Sequence, residues 1–269
     1  MSLWWRLALF LVLASFVSFN QCAVPSVQHD APEATRKQSK KFEFEPFRGV
    51  PIDPILGFNV TDNTPGNSRF KRAIGRDHAL EVLRNAAYFA QEMLGPDGLG
   101  RGFAYVKLTI ENFGGNQTVA AISTGTQIRL NSMYIENFTG DVKYEFNGIV
   151  FHENAKMWLQ ARQGLAPRWI LTGIMDFVRL EGGWPSQRWP KRGSGSRWTN
   201  GYAITAFFLE YCSRNKKYFV RELNSMMKRG YSNHYFAQLL GKDVHELWDD
   251  YKSLYGTKTA PALSPQQGH

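Results

Sequence analysis

Residues 148–183, GIVFHENAKMWLQARQGLAPRWILTGIMDFVRLEGG, constrain this chain more than any other stretch. They predict two helices, over 141–163 and 167–180, with a candidate metal site where the two meet. His152 and Glu153 form the first half of the helical motif H-E-x-x-H. In that motif two histidines one turn apart hold zinc, and the glutamate between them acts as base. The second histidine belongs at position 156, where this chain has Lys156. A protonated lysine offers three donors and no lone pair to a metal.

The chain has 269 residues, enough for one large domain or a two-lobed one. Residues 1–23 read as a secretory signal peptide: Arg6 supplies the positive start, LALFLVLASFVSF the apolar core, and Ala23 a small residue at the cut. No other stretch is expected to span a membrane, so a secreted, extracellular protein is predicted. The sequons at Asn59, Asn116 and Asn137 fit that route as glycosylation sites. Formal net charge is +9, and +8 once Arg6 leaves with the leader. A basic surface suits an anionic polysaccharide of the cell wall, or a peptide or protein partner. The cations are scattered apart from 36–41 and 188–197, which argues against specific nucleic-acid binding. A monomer is expected. Cys22 lies at the cut, so Cys212 in ITAFFLEYC is expected to be a buried small hydrophobe.

Residues 24–56 are polar and proline-spaced, and read as a flexible lead-in. A short strand follows at 57–62, and then one long amphipathic helix over 69–94. Strands are expected at 105–110, 118–123 and 127–131, the last two paired antiparallel. After Gly140 the pattern is helical, with further helices at 202–213, 218–229, 233–240 and 243–254. Residues 257–269 read as a disordered tail, leaving 57–256 as the folded domain. Strands first and helices after predict an α+β fold with a cleft between the halves. The loop 184–198 interleaves Trp184, Trp189 and Trp198 with Arg188, Lys191, Arg192 and Arg197. Either it grips a glycan, peptide or acidic polymer as a binding loop, or its tryptophans anchor it to the helical half.

The chain resembles the plant basic secretory proteins, a family grouped with the zinc metallopeptidases. The resemblance runs from about Phe58 to Gly256 and rests on VTDNTPGNSRF, SMYIENFTGDVKYEFNGIVFHE, GIMDFVRLEGG, GYAITAFFLEYC and YFAQLLGKDVHELWDDYK. It implies a secreted, zincin-like protein of plant defence and the cell-wall space (the apoplast). It also implies a small antiparallel or mixed sheet with a long helix, ahead of a helical half carrying the motif. Family members typically read H-E-M-T-H-V-W-Q where this chain has HENAKMWL, and G-L-I-E-G-I-A-D where it has WILTGIMD. His152 and Glu153 therefore carry over as a vestigial ligand and a vestigial general base, and Asp176 is kept. Lys156 and Thr172 occupy the positions of the second histidine and of the glutamate that is the third ligand. Fifteen residues separate Lys156 from Thr172, as the family pattern expects, so an alignment slip does not explain the losses.

A catalytic zinc needs about three protein ligands and a water. His152 supplies one, so no cofactor is expected here although zinc is the family's metal. His29 and His269 lie in tails, and His78, His234 and His245 fit helix faces. Lys156 follows Glu153 by three residues, so either its ammonium pairs with that carboxylate or it is a surface lysine on a decayed site. The chain thus reads as a pseudoenzyme that acts by binding. The rival reading is an active zinc-dependent endopeptidase with a rearranged site.

Overall fold

The computed structural model describes residues 57–96, 105–115, 118–161 and 164–256. The expected signal peptide, lead-in and tail lie outside these residues, as does Asn116. Strand β1 is Gly57–Asp62, with Asn59 exposed on it. Ser68 caps the short helix α1, Arg69–Ala73, by accepting the Lys71 N–H, and α2 follows at Arg76–Leu94. The single helix expected over 69–94 is therefore two. The break falls at Gly75, whose φ of 77° is left-handed and does not continue a right-handed helix.

Tyr105–Glu111, Ala121–Thr124 and Gln127–Asn131 form β2, β3 and β4. The four strands lie in the order β1-β2-β4-β3. β3 pairs antiparallel with β4, as expected. β1 and β4 both run parallel to β2. Parallel neighbours need a crossover between them, and α2 lies between β1 and β2 in the chain. On β2, Val106, Leu108 and Ile110 are buried while Tyr105 and Lys107 are exposed, so one face of the sheet meets the core.

The helical part begins with α3, Ser132–Asn137, which was not expected and which Asn131 caps through the Met133 N–H. Asn137 is exposed at its end. Helix α4, Val142–Ala155, is capped by Asp141 and is buried on nearly every side. α5 is Arg168–Glu181 and α6 is Tyr202–Ser213. α7 (Phe219–Met226), α8 (His234–Leu240) and α9 (Val244–Tyr255) close the chain's described part. α4 packs against both α2 and α5, and α5 against α6. The fold class is α+β, with a small mixed sheet and a predominance of helix. Among the described residues no helix is long and apolar enough to cross a membrane.

Helix α4 stops eight residues short of the expected end at 163, giving way to a 3-10 turn at Lys156–Trp158. The Asn224 side chain holds that end. It accepts the Gln160 N–H at 3.0 Å and donates to the carbonyls of Trp158 (2.8 Å) and Leu94 (2.9 Å). One buried amide thus satisfies backbone groups at the ends of two helices, which water cannot reach.

α5 and α6 approach closely because Gly173 has no side chain. A Cβ there would lie 2.2 Å from Thr205 Cγ2. The Thr205 hydroxyl also accepts the Gly201 N–H and donates to the Trp198 carbonyl. Gly173→Ala is therefore expected to destabilise the protein by about 1–3 kcal/mol, the usual penalty for overpacking. A chemical denaturation midpoint equal to that of the parent would show that the helices can part freely.

Candidate functional site

His152, Glu153 and Lys156 from α4 and the turn after it, Thr172 and Asp176 from α5, and residues 118–123 line one cleft of about 910 Å³. Tyr202, Trp189 and Pro190 also line it. The structure thus brings together every residue expected around the degenerate motif. Their bonding differs in one respect from expectation. Among the described residues, Lys156 makes no ion pair with Glu153. Its ammonium donates instead to the Ser123 carbonyl at 2.6 Å, and the Ser123 hydroxyl donates to Glu153 Oε2 at 2.5 Å. The reason is tertiary: β3 lies against α4 and offers both a carbonyl and a hydroxyl at the site. Ser123 is therefore a residue of the site that sequence spacing does not reveal. Its only signal was membership of a strand placed before the motif helix.

His152 Nδ1–H donates to Asp176 Oδ1 at 2.6 Å. Burial lowers the imidazole pKa, but the Asp176 charge and hydrogen bond, helped by Glu153, outweigh it and hold the pKa above the ordinary value. A carboxylate on one ring nitrogen is the arrangement that orients metal-binding histidines, with the other nitrogen facing the ion. Here the rest of the donor set does not fit a zinc ion. Lys156 keeps helical dihedrals (φ −57°, ψ −32°), so its side chain stands one turn on from His152 and presents an ammonium there. Thr172 is committed to backbone. Its hydroxyl donates to the carbonyls of Arg168 (3.1 Å) and Trp169 (3.2 Å) and accepts the Tyr202 N–H at 3.3 Å. Among the described residues no three His, Cys, Asp or Glu side chains converge on a common point.

Tyr202 has φ 46°, a left-handed value that is uncommon for a residue with a side chain. Its ring lies parallel to His152 with centroids 6.4 Å apart, and its hydroxyl accepts from Arg168 at 3.1 Å. Strain of this kind gathers at ligand sites. In the lining of the cleft, Arg179 and Glu145 form a buried ion pair at 2.8 Å, and Arg179 Nε also donates to the Trp184 carbonyl. Gly148 makes room for the guanidinium: a Cβ there would lie 2.4 Å from Arg179 Nε.

The loop after α5 is anchored along its length. Trp184 packs edge-on to Tyr144, Trp189 to Phe207, and Trp198 to His245. Arg192 grips Glu210 with two nitrogens, and Arg188 lies over Phe138 and donates to Thr139. Arg197 contributes its backbone N–H to Asn200. Of the loop only Trp189 and Pro190 reach the cleft. Of the other described histidines none lines it: His78 bonds Asn147 on α4 and His245 meets Trp198. Cys212 is buried and free, and burial pushes its thiol pKa well up.

The family model for BSP, described as a peptidase of plants and bacteria, matches residues 54–251. The chain belongs to that family. Neither a curated protein nor a solved structure matches it. The basic secretory protein family thus supplies a peptidase-like frame, and the motif segments read from the sequence lie inside the matched residues apart from Lys252.

Proposed function

We propose that this chain is a secreted, zincin-like member of the family that has lost metal-dependent cleavage and acts by holding a ligand in its cleft. The observation that carries the reading is the Lys156–Ser123 bond. An ammonium stands where a second imidazole would face the metal, and it is tied to the neighbouring strand at 2.6 Å. Without a metal, the water beside Glu153 keeps nearly its bulk pKa, far above the value of about 7 that zinc gives it. Glu153 then has no activated nucleophile to generate, and its carboxylate serves as an acceptor for Ser123.

Export, glycosylation at Asn59, Asn116 and Asn137, a role in defence and attachment to anionic wall polysaccharide belong to the same proposal. Support comes from the leader pattern, the exposure of Asn59 and Asn137, and the formal charge of +9. One preparation tests the whole reading. Protein secreted by plant cells is expected to lack about its first 23 residues, as a cleaved leader requires. It is expected to lose mass on glycosidase treatment, to carry no stoichiometric zinc and to leave casein uncut. One tightly held zinc per chain together with casein cleavage would return the protein to the active peptidases.

A further inference from the structure

The register of β3 shows which of its backbone groups face the cleft. Asn131 N–H bonds the Ala120 carbonyl, and Ala121 pairs with Leu130 and Ser123 with Ile128. In an antiparallel ladder bonded and non-bonded pairs alternate, so Ala120, Ile122 and Thr124 turn their backbone groups to β4. Ala121 and Ser123 turn theirs outward. An extended chain adding to this edge would use both outward residues in turn. Lys156 already holds the Ser123 carbonyl, so a chain lying on Ala121 has to end there.

Charge says what kind of end fits. Of the acids lining the cleft, Glu145 is bonded to Arg179 and Asp176 to His152. Outside those pairs stand Lys156 and Arg168, while Glu153 accepts from the Ser123 hydroxyl. Lys156 and Arg168 are both exposed. Ser123 takes one of three ammonium donors and Tyr202 one of five guanidinium donors, which leaves donors on each for an anion. Arg168 also opens α5, whose first turn has no side-chain cap, so the helix dipole adds charge of the same sign. Leu159, Leu171 and Met175 line the same cleft with apolar surface.

We propose that the cleft captures the C-terminal end of a peptide. The carboxylate lies between Lys156 and Arg168, and the last apolar side chain rests against Leu159, Leu171 and Met175. The inference rests on the non-catalytic reading above and gives it a ligand class. A through-running substrate and a chain terminus make opposite demands on Ser123, and the Lys156 bond favours the terminus.

The test titrates the full secreted protein with an N-acetylated tetrapeptide, Ala-Val-Ala-Leu, as the free acid and as the C-terminal amide. The acid is expected to bind about tenfold more tightly, the ratio that one charge-assisted contact gives. Arg168→Gln is expected to narrow the ratio. Lys156→Met is expected to abolish it and, by reopening the Ser123 carbonyl, to tighten binding of the amide. Equal affinity for acid and amide, or no binding of either at about 1 mM, would overturn the proposal. If Lys156→Met does not fold, the acid–amide comparison on the unsubstituted protein and on Arg168→Gln decides the matter. Zinc-dependent cleavage of casein would overturn the non-catalytic reading instead, a result the acid–amide ratio does not mimic.

Discussion

Lys156→His combined with Thr172→Glu is expected to turn the cleft into a zinc site. The three positions already line one cavity from two packed helices, and Asp176 already holds His152 by Nδ1. The substitutions replace an ammonium and a committed hydroxyl with an imidazole and a carboxylate, completing a three-ligand set. Without metal the variant is expected to be less stable than the parent by about 1–2 kcal/mol. It loses the Lys156–Ser123 bond and the Thr172 acceptor of the Tyr202 N–H. With zinc at about a thousandfold excess over Kd, stabilisation should reach about 4 kcal/mol. For a domain of this size that is a rise in Tm of roughly 8–16 °C. Lys156→His alone supplies two imidazoles without the carboxylate and should gain far less. If zinc raises the Tm of the unsubstituted protein as much as that of the double variant, the ligand assignment is wrong.

Arg179→Met should be the most damaging single change near the cleft. The guanidinium and Glu145 are both almost wholly buried, at 7% and 5% exposure, and bonded at 2.8 Å. Removing the cation leaves a buried carboxylate whose remaining contacts include the Tyr134 hydroxyl. Breaking such a pair from one side costs about 3–5 kcal/mol, because the orphaned charge keeps its desolvation penalty. For a domain of this size the Tm should fall by roughly 6–20 °C. The Trp184 carbonyl loses its donor and Trp189 the cation stacked on it, so the cleft wall loosens as well. Adding Glu145→Gln removes the orphaned charge and should restore a large part of the loss. A double-mutant cycle with no such recovery would mean that packing against Gly148, not the ion pair, sets the cost.

Much of the local structure was legible from residue patterns. The apolar spacing of 69–94 placed helix there, though as one helix and not the two observed, that of 202–213 placed a helix where it occurs, and alternation placed β2 and β4. The antiparallel pairing of β3 with β4 was legible, but the direction of β1 and β4 relative to β2 was not. Alternation tells which face of a strand is buried, but β1 and β4 find β2 through crossovers that involve no neighbouring residues. The end of α4 was missed for a similar reason. The apolar pattern continues through Met157 and Trp158, while the group that stops the helix, Asn224, lies 66 positions away. The loop's tryptophans and arginines had two readings from composition, and only their partners on α4, α6 and α9 showed that most of them are anchored.

At the site, motif spacing placed Lys156 where a second histidine belongs, and the family resemblance placed Thr172 where the third-ligand glutamate is expected. An ammonium has no lone pair and a threonine has no carboxylate, whatever surrounds them. The partner of each remaining charge was a matter of tertiary structure. Lys156 and Glu153 are three residues apart, yet both reach across to Ser123, because β3 brings an outward carbonyl and a hydroxyl against α4 at bonding distance. Sequence distance governs which groups can meet within one helix. The packing of strand on helix governs which of them do.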